Sequence, residues 1–260
     1  MSTKFTTNPE PRPPEDLGSA VAELGSRIVE LDPEFGRISI GVGQEAWRLP
    51  GLSPREKALL CLANDILLQH LGLPLRMHVE MALANAVPRQ DLREVVRHLA
   101  PYAGYPACVE ALVRLAKIEE SLDEQGKYPA DGNAAYPAPQ AFTFPPAQSD
   151  ALRCLDAPYA DFVVRQAEQV WNRPRLSHLE RAYLSLAADV CHQTLDESFR
   201  LHVNLALESG ASQEQVRAVL RFLAEFGMTK AWRALRALVE CLSDTEALDN
   251  QTRHAVSPTG

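Results

Sequence analysis

Apolar residues in the first half of the chain recur at three- and four-residue intervals, the period of an amphipathic helix. No run alternates with period two for long enough to predict a strand. The stretch "LSPREKALLCLANDILLQHLG", beginning at Leu52, shows how each helix is punctuated. Ser53 stands as N-cap, Pro54 at the first helical position, and Glu56, three residues after the serine, completes a capping box ahead of the apolar positions. "LPLRMHVEMALANAV" predicts a second helix, "PRQDLREVVRHLAPYAG" a third with Pro88 near its start, and "PACVEALVRLAKIEESL" a fourth. "DPEFGRISIGVGQEAW" predicts a helix leading into Trp47. The expected fold class is all-α.

The pattern returns 124 residues later without a gap. Trp47/Trp171, Pro50/Pro174, Ser53/Ser177, Glu56/Glu180, Asp65/Asp189, Gln69/Gln193, Arg76/Arg200 and His78/His202 all coincide, and the match continues through Arg93/Arg217 and Leu99/Leu223. A tandem duplication explains this register. The second copy predicts its own helices in "PYADFVVRQAEQVW", "DESFRLHVNLALESG", "SQEQVRAVLRFLAEFG" and "TKAWRALRALVECLSD". The expected organisation is an N-terminal segment 1–27, a first repeat 28–124, a Pro- and Ala-rich linker 125–150, a second repeat 151–245 and a tail 246–260. The linker reads as semi-extended, and the Pro-rich N-terminal stretch and the tail as frayed. The two similar modules are expected to pack on each other.

Composition narrows the function. With 260 residues, 46% of them apolar, each repeat can bury a core. A formal net charge of −8 argues against nucleic acid and against anionic membrane surfaces as partners, leaving small molecules or other proteins. No apolar run is long enough for a membrane span, and "MSTKFTTNPEPRPPEDLG" lacks the apolar core of a signal peptide, so the expected compartment is the cytoplasm. The five cysteines are odd in number and never spaced C-x-x-C, which fits reduced thiols. His70, His98, His178 and His192 keep no metal-ligand spacing in both copies, so no metal is expected.

The candidate chemistry lies in the repeated "R-x-H-V" of "RMHVEMAL" and "RLHVNLAL". A histidine on an amphipathic helix is ordinarily a satisfied structural residue, and its recurrence is partly owed to duplication. The surrounding residues add weight. "WRLPGLSPREKALLCLA", "HVEMALANAV" and "LAPYAGYPA" together resemble the carboxymuconolactone decarboxylase family of the alkylhydroperoxidase D-like superfamily, closely over about residues 35–120 and more loosely over 160–243. The resemblance implies two tandem alkylhydroperoxidase D-like helical bundles forming a pseudo-dimer. It also implies assembly as a homo-oligomer, either a trimer of tandem chains or a dimer.

Superfamily peroxidases carry a C-x-x-C pair just before the histidine. "QHLGLPLRM" before His78 has none, and before His202 the only thiol is the distant Cys191, so a thiol peroxidase is disfavoured. The decarboxylase branch needs neither metal nor cofactor, because a conjugated lactone carbonyl can take up the electrons released as CO₂ leaves. A histidine steered by a carboxylate can deliver the proton. By resemblance the catalytic pair falls on His78 and Glu45, with Tyr102, Trp47 and Glu56 as substrate-binding candidates. The same register gives a second candidate site at His202, Gln169 and Glu180. An amide at Gln169, and Phe226, Met228 and Lys230 in place of Tyr102, Gly104 and Pro106, lead us to expect unequal sites with the first the better suited to chemistry. Each residue has a plainer role available: capping for Glu56 and Glu180, core anchoring for the tryptophans, ion pairing for Arg76 and Arg200, solvated surface for Arg48 and Arg55. The expected function is a cofactor-free acid–base enzyme acting on a small lactone or carboxylate-bearing substrate by decarboxylation or a related isomerisation or cyclisation. The alternative is a non-catalytic helical protein that binds a ligand or partner.

Overall fold

The protein is described by a computed structural model covering residues 25–127 and 141–255, with side chains as far as Ser243. The N-terminal stretch to residue 24, the linker centre 128–140 and residues 256–260 lie outside the described residues, and with them much of the expected fraying and the semi-extended linker. The elements are α1 (25–31), α2 (Pro33–Arg48), α3 (Pro54–Leu67), α4 (Leu73–Ala84), α5 (Arg89–Ala103), α6 (Tyr105–Glu124), α7 (Pro146–Leu155), α8 (Ala157–Trp171), α9 (His178–His192), α10 (Glu197–Glu208), α11 (Gln213–Phe222), a 3₁₀ turn Leu223–Phe226 and α12 (Met228–Ala255). No strand occurs among the described residues. Helix α7 starts inside the expected linker, and α12 continues past residue 246, where a tail was expected.

The duplication governs the architecture. Helices α1 to α6 recur as α7 to α12, down to the caps: Asp32 and Asp156 cap α2 and α8, and Ser53 and Ser177 form complete capping boxes with Glu56 and Glu180. One helix of each repeat sits at the centre. Every residue from Lys57 to Leu67 in α3 is buried, as is every residue from Arg181 to Cys191 in α9. A helix buried on all sides must be enclosed on all sides. Helices α3 and α9 therefore pack on each other, and α5 of the first repeat covers α9. The Cys191 thiol meets Asn64 Oδ1 at 3.0 Å across this contact. Among the described residues, forty-nine buried apolar side chains from both repeats form one continuous core.

The internal two-fold symmetry is broken by charge. Asp91 and Glu94 of α5 are buried, and arginines of the second repeat reach them: Arg175 to Asp91 at 3.2 Å, and Arg173 and Arg181 to Glu94 at 2.8 and 3.2 Å. Arg55, given a solvated place by the sequence, bridges Asp91 at 2.7 Å and Glu180 at 2.6 Å. On the opposite side of the pseudo-dyad the matching positions hold Gly51, Lys57, Gln215 and Ala218. There the two repeats meet by close approach. A side chain built on Gly51, at φ +98°, would stand 2.7 Å from the Ala218 methyl.

Arg181 is fully buried, and Glu94 is its carboxylate partner. Glu94→Ala should lower the stability of the whole chain by about 3–5 kcal/mol, the cost of stranding a buried charge. Urea unfolding checks this, with both repeats expected to lose stability together.

Candidate functional site

Each repeat places its histidine on a buried aspartate thirteen residues earlier. His78 Nδ1 lies 2.6 Å from Asp65 Oδ2, and His202 Nδ1 lies 2.6 Å from Asp189 Oδ2. The turn between the two helices sets this up. Gln69 and Gln193 adopt left-handed conformations at φ 57° and 60°, and each amide folds back onto the helix end, Nε2 donating at 2.7 Å to the carbonyl of Ile66 or Val190. The chain then reverses, and α4 and α10 return along α3 and α9. With the aspartate accepting from Nδ1–H, each imidazole presents Nε2 as its free face. Among the described residues neither Nε2 has a hydrogen-bond partner.

The carboxylate that steers each histidine is therefore an aspartate, and not Glu45. Glu45 and Gln169 are exposed on α2 and α8. Glu45 stands two residues from both Gly43 and Trp47, the positions of α2 that meet the second repeat, and so lies on the opposite face of the helix. Asp65 and Asp189 were visible in the sequence as a repeated pair. Their signal was a buried acid recurring at a fixed distance before a buried histidine.

Tyr102 requires a second correction. It packs against His202, with ring centroids 5.4 Å apart, while Phe226 packs against His78 at 6.0 Å. The ends of α5 and of the 3₁₀ turn cross to the other repeat's histidine. Each site thus takes its His–Asp dyad from one repeat and an aromatic wall from the other.

The two surroundings differ in polarity. Around His202, Trp171 Nε1 donates to Tyr102 Oη at 3.1 Å, and Ser185 also bonds that phenol. His98 is fully buried, with Nε2 3.0 Å from the Arg181 carbonyl and 3.1 Å from Ser185 Oγ. Burial, reinforced by the Arg181 guanidinium, holds the His98 pKa well below its ordinary value and keeps the ring neutral. Asp189 is filled as well, Oδ1 accepting from Thr194 at 2.8 Å and Ser198 at 2.5 Å.

Around His78 the matching places hold Cys61, Phe222 and Phe226. An aromatic series runs inward from Trp47 to Phe222, Phe226 and the imidazole. Lys57 is tied down, its ammonium donating to the carbonyls of Trp47 and Leu49 at 2.6 and 2.7 Å. Asp65 has His70 and Pro74 where Asp189 has its two hydroxyl donors. Burial pushes the Asp65 pKa up, against the opposing pull of His78.

The remaining candidates fall outside the dyads. Glu56 and Glu180 are occupied in their capping boxes, and Glu180 also by Arg55. Trp171 is buried and Trp47 half-buried. Arg76 pairs with Glu80 at 2.9 Å. A groove of about 840 Å³, lined by Phe142, His178, Glu180 and Leu205, ends on Trp171, over which Phe142 stacks at 4.7 Å; neither dyad histidine lines it. Burial pushes the Cys191 thiol up to about 11 and the Cys61 thiol well above its ordinary value, so neither offers peroxide a ready nucleophile at neutral pH. Among the described residues no group of three or more His, Cys, Asp or Glu side chains is arranged to hold a metal ion, and no helix is long and apolar enough to cross a membrane.

The unequal filling of the two aspartates has a measurable consequence. Asp189→Asn turns one side of a fully accepting carboxylate into a donor facing hydroxyls, whereas Asp65→Asn relieves a carboxylate that burial already disfavours. Asp189→Asn should destabilise the fold by about 1–3 kcal/mol more than Asp65→Asn, measured by urea unfolding at neutral pH.

A nitrosuccinic acid decarboxylase of Metarhizium robertsii is 35% identical over 82 residues, which are 32% of this chain and 57% of the relative. A 4-carboxymuconolactone decarboxylase of Acinetobacter baylyi is 36% identical over 78 residues, 30% of this chain and 58% of the relative. The matches thus span somewhat over half the length of these relatives. A crystal structure from Burkholderia xenovorans, described as a gamma-carboxymuconolactone decarboxylase subunit, superimposes with a TM-score of 0.51 at 19% identity, covering 92% of this chain and 99% of that one; it shows the fold. The sequence model of the carboxymuconolactone decarboxylase family matches twice, at residues 33–117 and 157–240, once on each repeat. The chain belongs to the carboxymuconolactone decarboxylase family, as a tandem-duplicated member.

Proposed function

We propose that this chain is a decarboxylase-like enzyme of the first repeat's site, removing CO₂ from a small acid that carries an electron-withdrawing group, with His78 moving the proton. The observation that carries the reading is the His78–Asp65 dyad, an imidazole oriented at 2.6 Å through Nδ1 and unbonded at Nε2 under an aromatic cover. The names of the relatives agree in kind, one acting on a nitro acid and the other on a lactone acid. In such substrates the withdrawing group accepts the electron pair of the breaking C–C bond as CO₂ departs. The resulting carbanion or enolate then takes a proton from Nε2 of the imidazolium, which Asp65 stabilises, and solvent restores that proton. No step calls for a cofactor. A proton-transfer isomerisation or cyclisation would use the same parts.

The His202 site reads as scaffold. The polar groups facing His202 are already spent on one another, Tyr102 on Trp171 and Ser185, His98 on Arg181, Asp189 on three donors. Groups at a working site are more often left unsatisfied. With a panel of nitro, lactone and β-keto acids, His78→Asn should lower kcat/KM by about 10²–10⁴-fold while His202→Asn stays within about threefold of the unaltered protein. Retained activity in His78→Asn would end this reading.

We also propose that the chain assembles with copies of itself through α1–α2 and α7–α8. Leu31, Phe35 and Ile38 are exposed in the first repeat, and the three positions related to them by duplication, Leu155, Tyr159 and Phe162, are exposed in the second. Leu31 and Leu155 are 83% and 82% exposed. Apolar side chains repeated on equivalent faces suit closed association of like chains. Replacing Phe35 and Tyr159 by Glu should shift the sedimentation coefficient from that of an oligomer to that of the single chain; an unchanged coefficient would refute these faces as the contact.

A further inference from the structure

Glu225 stands in the His78 site although it belongs to the second repeat. It lies on the 3₁₀ turn beside Phe226, whose ring edges His78. Its charge couples directly to His78 on α4 and to Asp65 and Cys61 on α3. From α2 it is met by Gly43, where an added methyl would come within 3.2 Å of Oε1, so the helix passes close above the carboxyl. Among the described residues, Oε2 is buried and has no hydrogen-bond partner. The position is specific to this site, because the matching residue of the first repeat is Pro101, which is exposed and carries no acid.

A buried carboxyl oxygen without a partner is costly unless something visits it. The histidine opposite it is already steered by Asp65 and needs no second carboxylate for that purpose. We propose that Glu225 acts across the repeat boundary as the second working group of the His78 site, its protonated carboxyl donating a hydrogen bond to the oxygen on which negative charge gathers as CO₂ leaves. The inference rests on the decarboxylase reading above. In the step, the C–C bond to the carboxylate breaks and its electron pair moves onto the carbonyl or nitro oxygen held by Glu225. His78 then returns a proton to carbon, and Glu225 keeps its own proton throughout. Burial raises the Glu225 pKa in keeping with this role, and the neighbouring charge of Asp65 pushes the same way, while His78 opposes both. Lys230 of α12 is turned elsewhere, its ammonium donating to the Cys191 carbonyl at 2.9 Å.

The sign of the pH dependence follows. Activity needs the protonated carboxyl, so it falls as pH rises through the elevated Glu225 pKa. Glu225→Gln keeps an N–H donor in place and removes the titration. It should hold kcat within about tenfold and abolish that alkaline limb, whereas Glu225→Ala should lose about 10²–10³-fold, the loss seen when one donor to a developing oxyanion is removed. Infrared difference spectra of the substrate-free protein against Glu225→Gln give a readout apart from turnover. A protonated-carboxyl band that is lost in Glu225→Gln and that persists to higher pH than an ordinary glutamic acid's is expected. Absence of that band, or Glu225→Ala within threefold of the unaltered protein, overturns the proposal. If His78→Asn is inactive while Glu225→Ala is active, Glu225 alone falls; if the unaltered protein decarboxylates none of the acids, the reaction falls, and with it this role.

Discussion

Two helices that are buried along their whole length constrain everything else in this molecule. Helix α3 from Lys57 to Leu67 and helix α9 from Arg181 to Cys191 show no exposed face. Neither repeat has enough helices to enclose its own central helix, so each completes the other's enclosure. From that requirement follow the single core and the crossing of α5 and the 3₁₀ turn toward the opposite histidine. The aspartates share the cause. Asp65 and Asp189 ride on the buried helices, and a buried carboxylate needs a donor, which in each case is the imidazole of the helix that folds back.

The crossing gives the duplication its chemical meaning. In a symmetric dimer of a single-repeat chain, one change at the end of the third helix would appear at both sites. Fusion removes that tie. Tyr102 faces His202, while Phe226 and Glu225 face His78, and these choices are made separately. The interface diverged in the same manner. One side carries Asp91 and Glu94 with arginines of the second repeat, and the other closes Gly51 on Ala218. The Arg181 that anchors this charged side also stacks its demands on His98, so the polar investment of the second site is structural.

Much of the fold was legible in the sequence because helices and their ends are local. Ser53 and Glu56, Ser177 and Glu180, and the apolar spacing behind them needed no knowledge of distant contacts. The site was legible only as far as it is local. His78 and Asp65, thirteen residues apart on successive helices, were within reach of a pattern that repeats twice. Tyr102 was assigned to His78 because both belong to one repeat, and nothing in sequence order says that a helix end will serve its neighbour. Glu45 was placed by resemblance, yet its position between Gly43 and Trp47 puts it on the solvent face of α2. Glu225 gave no signal at all, since a glutamate near a helix end is ordinarily a surface residue; it becomes notable only once the fold buries one of its carboxyl oxygens.

The contrast between Pro101 and Glu225 shows how far a single position can be turned to different ends. Proline inside α5 is exposed and brings no donor and no charge, and the phenol beside it is held by Trp171 and Ser185, so what the end of α5 brings to the His202 side is a group already bonded. At the matching place in the second repeat the last turn tightens to 3₁₀ and carries an acid into the His78 side, where its Oε2 is buried. A carboxyl excluded from water and left without a partner keeps its proton more firmly than one in solvent, and a neutral acid can give a hydrogen bond where an ionised one cannot. The same desolvation that makes the residue costly to the fold is what fits it to meet a developing negative charge, so its expense in stability and its use in chemistry have one physical origin.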